Sequence, residues 1–159
     1  MEKIASFTID HLRLKTGLYV SRVDTVGGLP VTTYDIRMTR PNFEPPMDTA
    51  GVHAIEHIGA TFLRNDPDWK DKIIYFGPMG CRTGFYLVMN GAYQPRELIE
   101  LMRNMFTFIL GFEGDIPGAS AKDCGNYLDM NLNLAKIYAR KYYAEVLEDP
   151  ADDRLNYPE

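Results

Sequence analysis

The sequence is short of the features that staple, anchor or strongly charge a protein. Its 159 residues include only two cysteines, Cys81 and Cys124, so at most one disulfide could form. In a reducing compartment the readings for such residues are free thiols, metal ligands or catalysts. No apolar run approaches the ~20 residues that span a bilayer. The opening Met1-Glu2-Lys3-Ile4 lacks the basic-then-apolar layout of a secretory signal. The expected location is therefore cytoplasmic, with no membrane partner. Positive charge is also scarce: Lys+Arg is 17 against Asp+Glu 22, a net charge of −5. That balance excludes the basic footprint of a nucleic-acid binder. Internal repeats, low-complexity tracts and linkers are absent too, so a single domain over residues 1–159 is expected.

What is present is ordinary globular composition, 45% apolar and 25% charged, which argues against disorder. A chain of this size can bury a core without staples. Residues 18–26 are rich in strand formers. Gly27-Gly28 is a turn signal, and residues 29–38 read as the returning strand. Pro41, Pro45 and Pro46 break regular structure. Asp48 or Thr49 can then cap a helix to about Arg64, with Val52, Ile55, Ile58, Phe62 and Leu63 as its apolar stripe. Residues 72–76 and 83–89 form two short strand-like runs around the tight Gly77-Pro78-Met79-Gly80-Cys81-Arg82 connection. Pro95 suits a helix start, followed by the stripe Leu98, Leu101, Met102, Met105, Phe106 and Ile109. Ser120-Ala121-Lys122-Asp123 resembles a capping box and predicts a helix from there towards Leu147. Its Tyr138, Tyr142 and Tyr143, with Ile137 and Val146, form a face for a core or a dimer interface. Residues 148–159 read as a loose polar tail. The fold class is α+β: a small antiparallel sheet with helices packed against it.

The strongest local signal is His53-Ala54-Ile55-Glu56-His57. Residues four apart stack on one helix face, so both imidazoles can reach one metal ion, with Glu56 on the same side as a general base. The spacing is that of the inverted zinc-peptidase signature. The alternative is a solvated or hydrogen-bonded helix face. Two of only three histidines fall here, beside apolar neighbours, which favours metal. A catalytic site needs a third ligand. Cys124, near the predicted helix start, can supply a thiolate; otherwise it is a small buried apolar residue. Cys81, next to Arg82, is either a reactive thiolate or a structural thiol.

These pieces together resemble the LuxS family of S-ribosylhomocysteine lyases. The resemblance covers roughly residues 4–147 and rests on five separated motifs in order. They are Ser6-Phe7-Thr8-Ile9-Asp10-His11, Tyr34-Asp35-Ile36-Arg37, His53-Ala54-Ile55-Glu56-His57, Pro78-Met79-Gly80-Cys81-Arg82-Thr83-Gly84 and Cys124-Gly125. It implies that His53, His57 and Cys124 hold one divalent metal per subunit, natively Fe²⁺, with Zn²⁺ or Co²⁺ in purified protein. It implies that Glu56 and Cys81 are the acid/base pair and that Ser6, His11 and Arg37 bind or orient a small-molecule substrate. It further implies a homodimer with active sites at the subunit interface. The implied reaction splits S-ribosylhomocysteine into homocysteine and 4,5-dihydroxy-2,3-pentanedione, the precursor of autoinducer-2 in quorum sensing. The chain departs from the family pattern at Tyr75, where an acid is expected, and in residues 126–133, where a His-Asp pair is expected.

Two other classes compete. A metallopeptidase of the inverted type shares H-x-x-E-H, but usually takes an acidic third ligand and leaves Cys81 without a role. A metal-stabilised interaction domain needs a fourth protein ligand, for which His11 is the obvious donor.

Overall fold

The computed structural model describes residues 4 and 7–158. The first regular element is a hairpin of β1 (Gly17–Val26) and β2 (Leu29–Arg37). Gly27 and Gly28 join them at φ of 58° and 82°. Glycine takes such angles in succession at no steric cost, so the expected turn forms where two glycines stand. A second hairpin, β3 (Ile73–Pro78) and β4 (Gly84–Asn90), adds to the first through β4. The result is one antiparallel sheet in the order β1-β2-β4-β3. The period of two along each strand separates its faces. Leu18, Tyr34, Ile36, Phe85, Leu87 and Met89 enter the core. Asp35 and Arg37 lie on the opposite face, opposite Tyr86 and Gly84 of β4.

Three helices cover the core face. Helix α1 (Thr49–Asn65) starts where Asp48 accepts a hydrogen bond from the Ala50 amide, and it buries Val52, Ile55, Ile58 and Leu63. Helix α2 (Ile99–Gly111) follows a 3₁₀ turn over Pro95–Leu98. Helix α3 (Leu132–Tyr142) packs against α1 and α2 and continues as a π-helical turn over Tyr143–Leu147. Tyr142 and Val146 are buried as expected, whereas Ile137 is exposed. Among the described residues, no helix is long and apolar enough to cross a membrane.

Two expectations are corrected. The predicted helix from Ser120 does not form. Ser120 Oγ does donate to Asp123 Oδ2 at 2.7 Å, but the pair closes only a single turn. The next residues offer no apolar stripe to bury, with Tyr127 and Leu128 exposed. The helix begins twelve residues later, at Leu132, where Asn131 caps it by accepting from the Leu134 amide at 3.0 Å. The tail is not loose. Leu155 joins the core, and the Tyr157 ring stacks on Tyr19 with centroids 4.7 Å apart.

Candidate metal centre and catalytic residues

Helix α1 places His53 and His57 one turn apart, both half-buried, with rings meeting edge-on at 4.7 Å. His53 Nδ1 lies 2.9 Å from the Asp129 carbonyl oxygen, and His57 Nδ1 lies 2.7 Å from that of Pro117. A carbonyl only accepts, so in the neutral rings Nδ1 carries the proton and Nε2 keeps its lone pair. Cys124 Sγ stands 3.4 Å from His53 Nε2. One donor atom from each of His53, His57 and Cys124 lies within 4.8 Å of the others. The Asn126 amide donates to the Cys124 sulfur at 3.4 Å. This donor set fits a divalent metal: two imidazoles fixed in the ligating tautomer by carbonyls and one thiol, with no fourth His, Cys, Asp or Glu in the cluster among the described residues.

Cys124 does not reach the site from a helix N-terminus, as the predicted helix at Ser120 required. It sits after a single turn, where its amide donates to the Ser120 carbonyl at 3.0 Å. The Asp129 and Pro117 carbonyls escaped sequence reasoning, because backbone acceptors leave no residue signature. Gly118 is a partial trace of one. Its φ is 70°, and a Cβ there would sit 3.2 Å from His57 Nδ1, so a glycine lets the loop approach the ring. Glu56 is half-buried on the same helix. Among the described residues no hydrogen bond or ion pair engages its carboxylate.

Cys81 lies in the β3–β4 connection and is exposed. Its sulfur is 3.1 Å from Thr83 Oγ1 and 3.9 Å from Arg37 Nη1. Burial of part of the side chain pushes the thiol pKa up. Hydrogen bonds from Thr83 and the positive charge of Arg37 outweigh that and leave it below the ordinary thiol value. Thr83 was not singled out from sequence.

Arg37 is almost wholly buried, at 3% exposure, and so is Asp35, at 1%. Arg37 Nε and Nη2 donate to the two Asp35 carboxylate oxygens at 3.1 and 2.6 Å. Its Nη1 donates to Thr83 Oγ1 at 2.6 Å. The guanidinium is thus committed beneath Cys81. His11, with Nδ1 2.9 Å from the Ile9 carbonyl, lines a cavity of about 500 Å³ together with Cys81, Thr83 and residues 41–46. His11 therefore stands with Cys81 and is not in the cluster of His53, His57 and Cys124. Ser6 lies outside the described residues.

Comparison with known proteins bears on these geometries. Residues 4–153 match the family described as S-Ribosylhomocysteinase (LuxS). Similar proteins named S-ribosylhomocysteine lyase occur in Clostridium beijerinckii (60% identical, 99% of each chain) and Clostridium acetobutylicum (58% identical, 100% of each). A third, from Desulfotalea psychrophila, is 55% identical over 99% of both chains. The chain belongs to the LuxS family, and the resemblance seen in its five motifs extends through the aligned length.

Proposed function

We propose that this chain is a metal-dependent carbon–sulfur lyase that cleaves S-ribosylhomocysteine to homocysteine and 4,5-dihydroxy-2,3-pentanedione, the autoinducer-2 precursor. The observation that carries the reading is the His53–His57–Cys124 cluster, with both Nδ1 atoms tied to carbonyls, in a member of a lyase family. An acidic third ligand, expected of a peptidase, is replaced there by a thiol.

A thioether carbon in a sugar does not release sulfur unaided. The carbonyl must first move along the ribose by two proton-transfer isomerisations. Once it lies two carbons from the thioether carbon, the proton between them is acidic, and its removal expels the homocysteine thiolate. A divalent metal held by His53, His57 and Cys124 would supply Lewis-acid polarisation of a substrate oxygen. The protein moves the protons. Cys81, with its thiol pKa lowered beside Thr83 and Arg37, takes a proton from carbon as thiolate and returns it as thiol. Glu56, on the metal-bearing helix with no bonded partner among the described residues, serves the oxygens on the metal side.

Arg37 orients the reaction through its hold on Cys81, and His11 and Ser6 are the proposed substrate-binding residues. The two groups occupy different parts of the chain, His11 and Cys81 around one cavity and the metal-type ligands on α1 and the loop after α2. The proposed assembly is a homodimer with active sites at the interface. Fe²⁺ is the proposed native metal, with Zn²⁺ or Co²⁺ as substitutes, in one cytoplasmic domain.

The test is a thiol-release assay. Protein loaded anaerobically with Fe²⁺ or Co²⁺ is given S-ribosylhomocysteine, and homocysteine is followed with a thiol reagent. Metal-dependent release that Cys81→Ala abolishes is the expected result. Absence of release from folded, metal-loaded protein overturns the reading.

A further inference from the structure

We propose that Tyr157 is a positioning residue for Cys81, acting through Asp35 and Arg37. The proposal rests on the reading in which Cys81 shuttles protons. Tyr157 lies beyond the residues matched to the family, 4–153, in the tail that composition alone marked as loose.

A continuous line of contacts runs from Tyr157 to the Cys81 sulfur. Tyr157 Oη donates to Asp35 Oδ2 at 2.9 Å. The same oxygen accepts from Arg37 Nη2 at 2.6 Å, while Oδ1 accepts from Nε at 3.1 Å. The third guanidinium nitrogen, Nη1, reaches Thr83 Oγ1 at 2.6 Å and Cys81 Sγ at 3.9 Å. Thr83 Oγ1 closes the line at 3.1 Å from the sulfur. Tyr157 is itself held by stacking on the buried Tyr19, with an interplanar angle of 21°. Burial, then the Asp35 charge, keep the Tyr157 hydroxyl protonated far above neutrality, so it stays a donor across the working range.

The phenol has two effects on the thiol. It takes part of the Asp35 negative charge, so less of the Arg37 positive charge is cancelled before reaching the sulfur. It also fixes the carboxylate plane, and with it the fork whose free arm points at Thr83 and Cys81. Without the hydroxyl, Asp35 pairs with Arg37 alone, the fork loosens, and the thiol pKa rises.

Among the described residues, the charged or titratable groups set around Cys81 are Arg37 from β2, paired with Asp35, Tyr86 from β4, and His11 and Glu44 from the shared cavity. Replacing Tyr157 leaves all of these side chains in place, so a shift in the Cys81 titration reports the tail.

The experiment uses the full, metal-loaded chain. The rate of Cys81 alkylation by iodoacetamide is measured against pH and read by peptide mass mapping, which separates Cys81 from Cys124. Tyr157→Phe keeps the stacked ring and removes only the hydroxyl. Its midpoint is expected to rise by about half a pH unit, which slows alkylation below the midpoint by ~threefold. Turnover on the acid side should fall through kcat with KM unchanged. A chain ending at Asn156 should shift the same way and further. Folded Tyr157→Phe protein whose profile superimposes on the parent, or moves to lower pH, overturns the proposal. Turnover in Cys81→Ala is a separate result: if retained, it removes Cys81 from the reaction, while the alkylation profile still decides what Tyr157 does.

Discussion

Cys124 Sγ stands 3.4 Å from His53 Nε2, while Nδ1 of the same ring is 2.9 Å from the Asp129 carbonyl. The ring thus presents the Nε2 lone pair on the side of the sulfur and carries its proton on Nδ1, away from it. A metal bound there binds the folded state and holds the loop of Cys124 to α1. At a concentration 100 times the dissociation constant it stabilises the fold by about 2.7 kcal/mol. Co²⁺ or Zn²⁺ should raise the melting temperature of the parent chain, and Cys124→Ala should lose that rise. A variant retaining the whole metal-induced shift would take Cys124 out of the ligand set.

Glu56 projects from the helix that carries both histidines, and no side chain among the described residues claims its carboxylate. Glu56→Gln preserves size and removes the proton acceptor. Turnover should fall by the ~10²–10⁴-fold typical of a lost general acid–base group. Metal content by atomic spectroscopy and the circular dichroism spectrum should match the parent. Parallel loss of metal would reassign Glu56 as a ligand or a structural support.

Thr83 touches both Cys81 and Arg37, at 3.1 and 2.6 Å. Thr83→Val keeps the shape and deletes the hydroxyl that helps hold the thiol pKa down. The Cys81 alkylation midpoint and the acid limb of the turnover profile should both move to higher pH. The sign for stability follows from the same shift. A thiol with a lower pKa folded than unfolded binds fewer protons folded, so stability rises with pH between the two values. That contribution is fully present above the unfolded thiol's value of ~8.5 and is lost as pH falls through the folded value. Because Cys81 is exposed, its share of total stability is small, and the alkylation profile is the sensitive readout. An unmoved midpoint would assign the shift to Arg37 and the Thr83 backbone.

Both hairpins and α1 were legible because local chemistry and tertiary packing agree there. Gly27-Gly28 demands a tight turn, Asp48 caps, and Val52, Ile55 and Ile58 repeat at helical spacing and are buried. Around Ser120 they disagree. A capping pattern is present, but Tyr127 and Leu128 stay exposed instead of forming a buried stripe, so a locally good start leads nowhere. The metal-type ligands were readable from His53 and His57 at a spacing of four, since that spacing alone sets a shared face. Cys124 could be named but not its loop setting. What supports the site was hidden for a different reason. Asp35 and Tyr157 are 122 residues apart, and no local pattern predicts that a polar tail will close over a buried carboxylate.

Gly51 faces α3, where an added Cβ would lie 2.5 Å from the Tyr138 ring and 2.9 Å from Leu134 Cβ. The latter sits at the root of its side chain and cannot swing aside. Gly51→Ala gains up to ~1 kcal/mol of helix propensity, against an overpacking cost of ~1–3 kcal/mol. Net destabilisation is expected, seen as a lower urea midpoint with an unchanged slope. Since Tyr138 Oη accepts from the Asp48 amide at 2.9 Å, the start of the histidine-bearing helix should be disturbed as well, weakening metal binding. A stabilised Gly51→Ala chain would show that α1 and α3 move apart freely.

The Asp35–Arg37 pair separates stability from function. Both side chains are out of water, and removing one partner of such a pair costs ~3–5 kcal/mol because the other charge is left buried and alone. Asp35→Asn should therefore lower the urea midpoint sharply, even though the amide can still accept from Arg37. Replacing both, as Asp35→Leu with Arg37→Met, leaves no stranded charge, and should recover much of that loss. Turnover should not return with it, because the double variant loses the Arg37 Nη1 that stands 3.9 Å from the Cys81 sulfur. A stable double variant with a raised Cys81 alkylation midpoint would show that the pair is kept to set the thiol. A double variant as unstable as Asp35→Asn, with the thiol unmoved, would assign the pair to the fold instead.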